Sequence, residues 1–340
     1  MPRDGRGAVT APGSGVAANG IGLMLLACLG IAIHDALVKS YGHDLGLWQL
    51  VIGRSLVAAA GILLAALALG RLRHLRARRP AWLLLRTLSQ ALAMLFYLVS
   101  LAELPFAIAS ALFYTSPISM LLLSRLFFDE RITRLQILAV AISFCGVVLA
   151  IQPQDDDFSW FELLPCLAGT CYAFAVVLNS KRLQAESPLA ITFYLTLSAT
   201  AVALAATLAI EASGLAGDLE RDLPYLATRW RPLGLGPLAL VALLAGLYVL
   251  VMTSYARAFQ LLPVPVSGAL DYVYIVFAVL IGLLAFAERP KSGEFAGIAL
   301  ILAGGLLAVV PPRRRPLRGA APAGEALARP AASDPGGSGP

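Results

Sequence analysis

Charged residues are scarce in this sequence. Asp, Glu, Lys and Arg make up 14% of the 340 residues, whereas 59% are hydrophobic and the mean hydropathy is +0.80. A soluble globular domain has about 25% charged and about 45–50% apolar residues. A chain with so few polar residues cannot cover a water-soluble core. The composition therefore excludes a cytosolic enzyme, a secreted disulfide scaffold and a nucleic-acid-binding protein.

The sequence also has little of the chemistry that marks metal sites, disulfides or catalysis. Its four cysteines lie inside apolar segments, and Cys166 and Cys171 have neither the spacing nor the His partners of a zinc site. It contains no P-loop, no HExxH motif and no nucleophile elbow. We therefore expect packing roles for the cysteines, no metal, no cofactor and no enzymatic activity.

Apolar residues are grouped in blocks of the length that crosses a bilayer, about twenty residues. Inside a bilayer the backbone must satisfy its own hydrogen bonds, which in continuous apolar runs requires helices. The sequence thus predicts an all-α polytopic membrane protein with ten transmembrane helices. Residues 1–17 and 312–340 are rich in Pro, Gly, Ala and Arg, and we expect them to be disordered tails. The ten blocks are 20–40, 47–69, 81–101, 106–126, 135–152, 160–180, 188–210, 237–259, 266–287 and 294–311.

Lys and Arg are unevenly distributed between alternate connections. The segment 71–79 alone carries five arginines, and the arginine-rich C-terminal tail falls on the same side of the predicted membrane. The acidic run 155–157 falls on the other side. Because cytoplasmic loops carry the excess of Lys and Arg, we expect both termini in the cytoplasm of a bacterial cell and the protein in its inner membrane.

An internal repeat divides the chain. Residues 92–153 align with 250–311 without a gap. The unit contains five predicted helices, an odd number, so the second copy must enter the membrane from the opposite face. We predict two inverted five-helix repeats, 18–153 and 154–311, an architecture found in transporters. Identical pairs include Met94/Met252, Tyr97/Tyr255, Pro105/Pro263, Tyr114/Tyr272, Glu130/Glu288 and Gly146/Gly304.

At these residues the chain resembles the EamA-type group of the drug/metabolite transporter superfamily, over about residues 20–311. The resemblance implies transport of a small metabolite. Ile275 stands where the first half has Pro117, so a kink is expected in the fourth helix and its usual cause is missing from the ninth. The segments that carry the resemblance are Ser116-Pro117-Ile118, Asp129-Glu130-Arg131, Ala287-Glu288-Arg289-Pro290, His34 to Lys39, and Arg54.

Ionisable side chains inside the apolar blocks are the first candidates for function. Such residues are costly in a bilayer, usually face the helix bundle and mark a pathway. We expect Asp35, with His34 beside it, to pair with Arg54 near one mouth, and Asp271 to pair with Arg86 near the other. Both pairs are candidate gates, and Asp35 and Asp271 are candidates for proton coupling. Purely structural neutralisation is equally consistent with the sequence.

Polar and aromatic residues that share helix faces with these groups predict a substrate cavity. For Tyr97 and Tyr255, which lie near helix ends, an interfacial aromatic belt is the alternative. The substrate-binding candidates are Arg86, Gln90, Tyr114, Tyr172, Tyr248, Asp271 and Tyr274.

These features predict a secondary active transporter, an exporter or exchanger, of a small polar or zwitterionic metabolite such as an amino acid. An importer of a vitamin or nucleoside-like metabolite, a lipid flippase, a structural membrane subunit and a membrane enzyme are the alternatives. The expected partners are a small-molecule substrate and the lipid bilayer, with no nucleic acid. The sequence leaves a homodimer open.

Overall fold

A computed structural model describes residues 14–128, 134–151, 159–226, 228, 230, 232, 234–262, 270–289 and 291–309. These residues form α-helices, short 3₁₀ turns and connections, without a β-strand. The predicted all-helical class is confirmed. The α-helices in chain order are α1 (Ser14–Leu45), α2 (Leu47–Ala68), α3 (Pro80–Ser100), α4 (Phe106–Phe113), α5 (Ser116–Phe128), α6 (Arg134–Ile151), α7 (Leu163–Arg182), α8 (Pro188–Ser213), α9 (Ala216–Asp222), α10 (Leu235–Leu261), α11 (Val273–Ala285) and α12 (Ser292–Val309).

Seven segments within the described part of the chain are long and apolar enough to cross a bilayer, and the protein is a multi-pass membrane protein. Three further apolar helices, Ile137–Leu149, Val273–Ala285 and Ser292–Gly304, are shorter. Large apolar side chains remain exposed along the spans, as Leu64, Leu126 and Leu284 do, and lipid tails can cover such surface. The seven spans are Ala18–Tyr41, Leu47–Ala68, Pro80–Ser100, Phe106–Phe127, Trp160–Asn179, Pro188–Ser213 and Leu235–Leu261.

Most helix ends follow the predicted block ends, with one clear difference at the start. Helix α1 begins at Ser14, inside the predicted tail 1–17, because Ala17 and Ala18 are good helix formers that extend the apolar helix backwards. At its other end, Gly46 alone separates α1 from α2. Its φ of 77° lies in the left-handed region, which glycine adopts without a Cβ clash, so the chain reverses in one residue. The rest of the predicted tails and the Asp129-Glu130-Arg131 motif lie outside the described residues.

The predicted fourth span is interrupted in its middle. Helix α4 ends at Phe113 and α5 begins at Ser116, and the backbone N–H of Tyr114 donates to the carbonyl of Ala111 at 3.0 Å. In a continuous helix the N–H of residue 117 would donate to the carbonyl of Phe113. Pro117 has no N–H, so this bond is missing and the helix is interrupted one turn before the proline. Gly169 on α7 packs against this carbonyl so closely that a Cβ would lie 2.4 Å from it.

A second interruption lies at the repeat-equivalent position. Residues 270 and 271 are helical, Tyr272 forms a turn, and α11 begins at Val273. The N–H of Ile275 donates to the carbonyl of Tyr272 at 3.1 Å, which leaves the carbonyl of Asp271 free for a side-chain donor. The ninth helix is therefore broken without a proline, contrary to what the loss of Pro117 in this half suggested.

Helices α6 and α12 pack against each other through small residues. A Cβ on Gly146 would lie 2.8 Å from the backbone N of Ile301 and 2.9 Å from the carbonyl oxygen of Gly297. Only a residue without a side chain allows the two backbones to approach this closely.

Candidate functional site

A cavity of about 120 Å³ lies between the two halves of the described chain. It is walled by residues of α1, α2, α3, α7, α8, α10 and α11 and by residues at both helix interruptions. The structure thus brings every sequence-predicted site residue to one place, where the sequence suggested separate pairs near two mouths. Those residues are His34, Asp35, Arg54, Arg86, Gln90, Tyr114, Tyr172, Tyr248, Asp271 and Tyr274.

Arg54 reaches Asp35 through a histidine. Arg54 Nη1 lies 2.6 Å from His34 Nε2, and His34 Nδ1 lies 2.9 Å from Asp35 Oδ1. An arginine only donates, so Nε2 of His34 accepts and the imidazole is neutral with its proton on Nδ1. The expected direct pair of Asp35 with Arg54 is thus replaced by a relay, because the imidazole occupies the space between them.

The guanidinium of Arg54 is completely buried and has an aromatic neighbour. Its Cζ lies 4.1 Å from the centroid of the Tyr248 ring, and its Nη2 contacts the sulfur of Met94. A cation over a tyrosine face gains electrostatic energy that increases as water is removed. Tyr248 on α10 and Arg54 on α2 therefore connect the two halves of the chain.

The other oxygen of Asp35 begins a chain of hydroxyl groups. Tyr274 OH donates to Asp35 Oδ2 at 3.1 Å, and Tyr97 OH lies 2.8 Å from both Tyr274 OH and Ser110 Oγ. This chain runs from α1 through α11 to α3 and α4. All its members are buried, so each hydroxyl depends on the next for its hydrogen bond.

Asp271 is surrounded by tyrosine hydroxyls. Tyr255 OH donates to Asp271 Oδ1 at 2.9 Å and Tyr172 OH donates to Oδ2 at 3.3 Å. Tyr114 OH donates to the freed backbone carbonyl of Asp271 at 2.8 Å. The Tyr114 and Tyr274 rings are stacked, with centroids 5.6 Å apart. Both interruptions therefore meet at one residue, Asp271.

Arg86 does not form the expected pair with Asp271. Within the described part of the chain no ion pair joins them, and the carboxylate of Asp271 is held by Tyr172 and Tyr255 instead. Nε and Nη1 of Arg86 are buried and have no hydrogen-bond partner among the described residues. Arg86 nevertheless lines the cavity, together with Gln90 on the same helix.

The sequence left two environments open for two of the cavity's tyrosines. Tyr97 and Tyr255 line the cavity and bind its polar groups, so the aromatic-belt alternative is wrong for both. Their exact match across the repeat was the signal that could have identified them. Cys28, assigned to packing, also lies here, with its sulfur 3.5 Å from Tyr255 OH.

A cavity that contains charged and tyrosine side chains and lies at interrupted helices of a multi-pass membrane protein is the arrangement of a membrane transporter. The sequence matches the model of the EamA-like transporter family over residues 18–152 and again over 159–310. The chain belongs to the EamA-like transporter family, and the resemblance stated from its motifs is confirmed. It is a small-molecule transporter.

Similar proteins are named as transporters of different substrates. The chain is 22% identical over 283 residues to an S-adenosylmethionine uptake transporter of Rickettsia bellii, covering 83% of this chain and 90% of the relative. It is 30% identical over 240 residues to a riboflavin transporter of Rhizobium johnstonii, covering 69% and 72%. It is 27% identical over 294 residues to a pseudopaline exporter of Pseudomonas aeruginosa, covering 86% and 94%.

A solved crystal structure shares the fold. It superposes with a TM-score of 0.58 at 20% sequence identity, covering 87% of this chain and 97% of that one.

Proposed function

We propose that this protein is a secondary active transporter that exports or exchanges a small polar or zwitterionic metabolite, such as an amino acid or related compound. The meeting of two helix interruptions at one cavity that contains charged and tyrosine side chains carries the proposal. Tyr114 and Tyr272 are repeat-equivalent, each lies at an interruption, and Tyr114 binds the carbonyl of Asp271. Discontinuous helices that meet at a repeat interface are typical of substrate sites in transporters.

The proposed architecture has ten transmembrane helices in two inverted repeats, 18–153 and 154–311, in a bacterial inner membrane with both termini cytoplasmic. Seven long and three short apolar helices and two family matches along one chain support it. Reporter fusions at each terminus test the orientation, with a fusion after Gly214 as the opposite-side control. Termini on different sides of the membrane would contradict the inverted repeat.

The cavity volume supports a small substrate. About 120 Å³ is below the roughly 300–1,000 Å³ of pockets that hold drug-sized ligands. In this conformation the cavity has room for a compact polar molecule, and a larger substrate requires the halves to move apart. No ATP-binding motif is present in the sequence, so the proposed energy source is an ion gradient or exchange.

His34, Asp35, Arg54 and Asp271 are the proposed gating and coupling groups. The carboxylate of Asp35 binds Tyr274 of the other half, and the backbone carbonyl of Asp271 binds Tyr114 of the other half, so separating the halves breaks these two hydrogen bonds. The carboxylate of Asp271 binds Tyr172 and Tyr255 of its own half, so its donors are lost only if those helices also move. A carboxylate that loses its hydrogen-bond donors takes up a proton more readily. Proton uptake at one of these two residues would then couple substrate movement to the proton gradient.

Uptake of a vitamin or nucleoside-like metabolite is the second candidate function. The similarity to an S-adenosylmethionine uptake transporter and to a riboflavin transporter favours it. The two candidates differ in direction and in substrate, so flux of compounds of each kind, measured in both directions, distinguishes them.

The test compares the metabolites inside and outside cells that express the wild type, Asp271→Asn or Arg86→Ala. We expect each variant to reach the membrane in a folded state and to abolish the flux seen with the wild type. Asp218→Asn is the matched control, because Asp218 lies exposed on α9 far from the cavity residues. Unchanged flux in both cavity variants would contradict the site, and no wild-type flux for any compound would contradict the function.

A further inference from the structure

Among the cations of the described spans, Arg86 differs from its counterparts. Lys39 pairs with Glu288 at 2.9 Å, and Arg54 donates to His34. Arg54 also has a buried Nε without a partner, but Arg86 has two such nitrogens, Nε and Nη1, among the described residues. Burying an arginine whose donors stay unpaired is strongly unfavourable, so this group requires an explanation.

The fold does not require a cation at this position. The repeat matches Gln90 with Tyr248 and Tyr97 with Tyr255. At the same offset, the residue that corresponds to Arg86 in the second half is Leu244. Leu244 is fully buried in α10, the repeat-equivalent of α3. The corresponding helix of the second half therefore packs with a leucine at this position. We conclude that helix packing does not require the charge of Arg86.

The carboxylates of the cavity are already engaged. Asp35 binds His34 and Tyr274, and Asp271 binds Tyr172 and Tyr255. Neither is within ion-pair distance of Arg86 in the described structure. The cavity is thus lined by a guanidinium that has no carboxylate partner among the described residues. A guanidinium can match a carboxylate with two parallel hydrogen bonds.

We infer that the substrate carries a free carboxylate and that Arg86 binds it inside the cavity. The inference rests on the proposed transport function and specifies the chemical group that the cavity selects. A carboxylate has one negative charge, which one guanidinium balances. A phosphate monoester carries about 1.5 to 2 negative charges at neutral pH and would leave charge unbalanced here. The same argument disfavours substrates that are only cationic.

The test is ligand binding to purified protein, read as a shift of the thermal unfolding midpoint and as a Kd. The probes are the proteinogenic L-amino acids, each beside the amine that lacks its carboxylate. The variants are Arg86→Leu, which copies the second half, and Arg86→Lys, which keeps the charge but loses the planar fork. The control is Arg257→Leu, because Arg257 is exposed near the end of α10.

We expect at least one amino acid to stabilise the wild type and the Arg257→Leu control, while its amine does not. Arg86→Leu should fold with an unchanged or higher unfolding midpoint and lose the response to the amino acid. Arg86→Lys should bind about tenfold or more weakly, the effect of losing one hydrogen bond between charged groups while the charge is kept.

Three results would overturn the inference: no amino acid binds the wild type, the amine binds as well as its amino acid, or Arg86→Leu keeps the affinity. Failure of the proposed function looks different. If cells that express the wild type move a compound without a carboxylate, transport stands and the carboxylate inference fails. If no compound moves in a way that depends on the protein, transport itself fails.

Discussion

Lys39 and Glu288 form an ion pair of 2.9 Å between the end of α1 and the segment after α11. Glu288 Oε1 also accepts the backbone N–H of Phe106 at 2.7 Å, and Oε2 accepts that of Ala107 at 3.2 Å. A carboxylate on the first free N–H groups of a helix satisfies them and favours the positive end of the helix dipole. Glu288 therefore joins α1, α4 and the end of α11 at one end of the protein.

We predict that this pair stabilises the protein more than a surface pair does. In a double-mutant cycle of Lys39→Met and Glu288→Gln, the coupling free energy should be about 1.5–3 kcal/mol, the range of hydrogen bonds to charged groups. The measurement is thermal or denaturant unfolding in detergent. The exposed pair of Arg221 with Asp218 is the control and should couple by less than about 1 kcal/mol. Equal coupling in the two pairs would refute the prediction.

His34 should be essential for stability because it connects two buried charges. His34→Leu removes the acceptor of Arg54 and the donor to Asp35 in one step. We expect a loss of about 3–5 kcal/mol in the free energy of unfolding, as for other broken buried charge pairs, together with loss of flux. His74→Leu, in the exposed turn after α2, should change neither quantity. An unfolding midpoint that stays the same in His34→Leu would show that Arg54 does not depend on the imidazole.

Gly169 is predicted to be irreplaceable at the first interruption. In Gly169→Ala the new methyl group would lie 2.4 Å from the carbonyl oxygen of Phe113, and backbone cannot yield as a side-chain tip can. We expect a loss of about 1–3 kcal/mol and reduced flux. Gly246→Ala in α10 is the matched control, since nothing lies within 4 Å of its Cβ position. It should be neutral or stabilising by up to about 1 kcal/mol. Similar stabilities for the two variants would contradict the close approach.

Tyr274→Phe should weaken transport through the loss of one hydroxyl. The substitution keeps the ring that stacks on Tyr114 and removes the donor to Asp35 and the partner of Tyr97. Buried groups left without partners cost about 1–3 kcal/mol, so the unfolding midpoint should fall along with the initial rate of flux. Tyr41→Phe tests the same chemical change at an exposed tyrosine and should have no effect. A wild-type rate in Tyr274→Phe would remove this hydroxyl from the mechanism.

Much of the site was predictable because charged residues are so rare in the spans. Asp35, Arg54, Arg86 and Asp271 are costly in lipid, so their presence alone indicated an interior position. Their partners were not predictable. Helical spacing gives the depth and face of a side chain but not its rotamer. The His34 ring lies between Arg54 and Asp35, which were expected to touch each other.

Of the two helix interruptions, one was predictable from the sequence and the other was not. Pro117 predicted a break in the first half, and the structure has it one turn earlier, where the missing N–H leaves the carbonyl of Phe113 without its bond. The break at Tyr272 has no sequence marker, because it depends on Tyr114 binding the carbonyl of Asp271 from another part of the chain. Position near a helix end likewise left the environment of Tyr97 open, and its hydrogen bonds to Ser110 on α4 and Tyr274 on α11 place it inside the bundle.

The sequence by itself determined that this chain lies in a membrane as helices, because twenty-residue apolar blocks satisfy their backbone in no other way there. It also determined the family, through motifs repeated in two halves, and which residues are too polar to face lipid. Only the tertiary structure decided which of those residues touch. Contacts such as Tyr255 with Asp271 or Lys39 with Glu288 join segments far apart in the chain, and their geometry depends on how whole helices pack rather than on any local pattern.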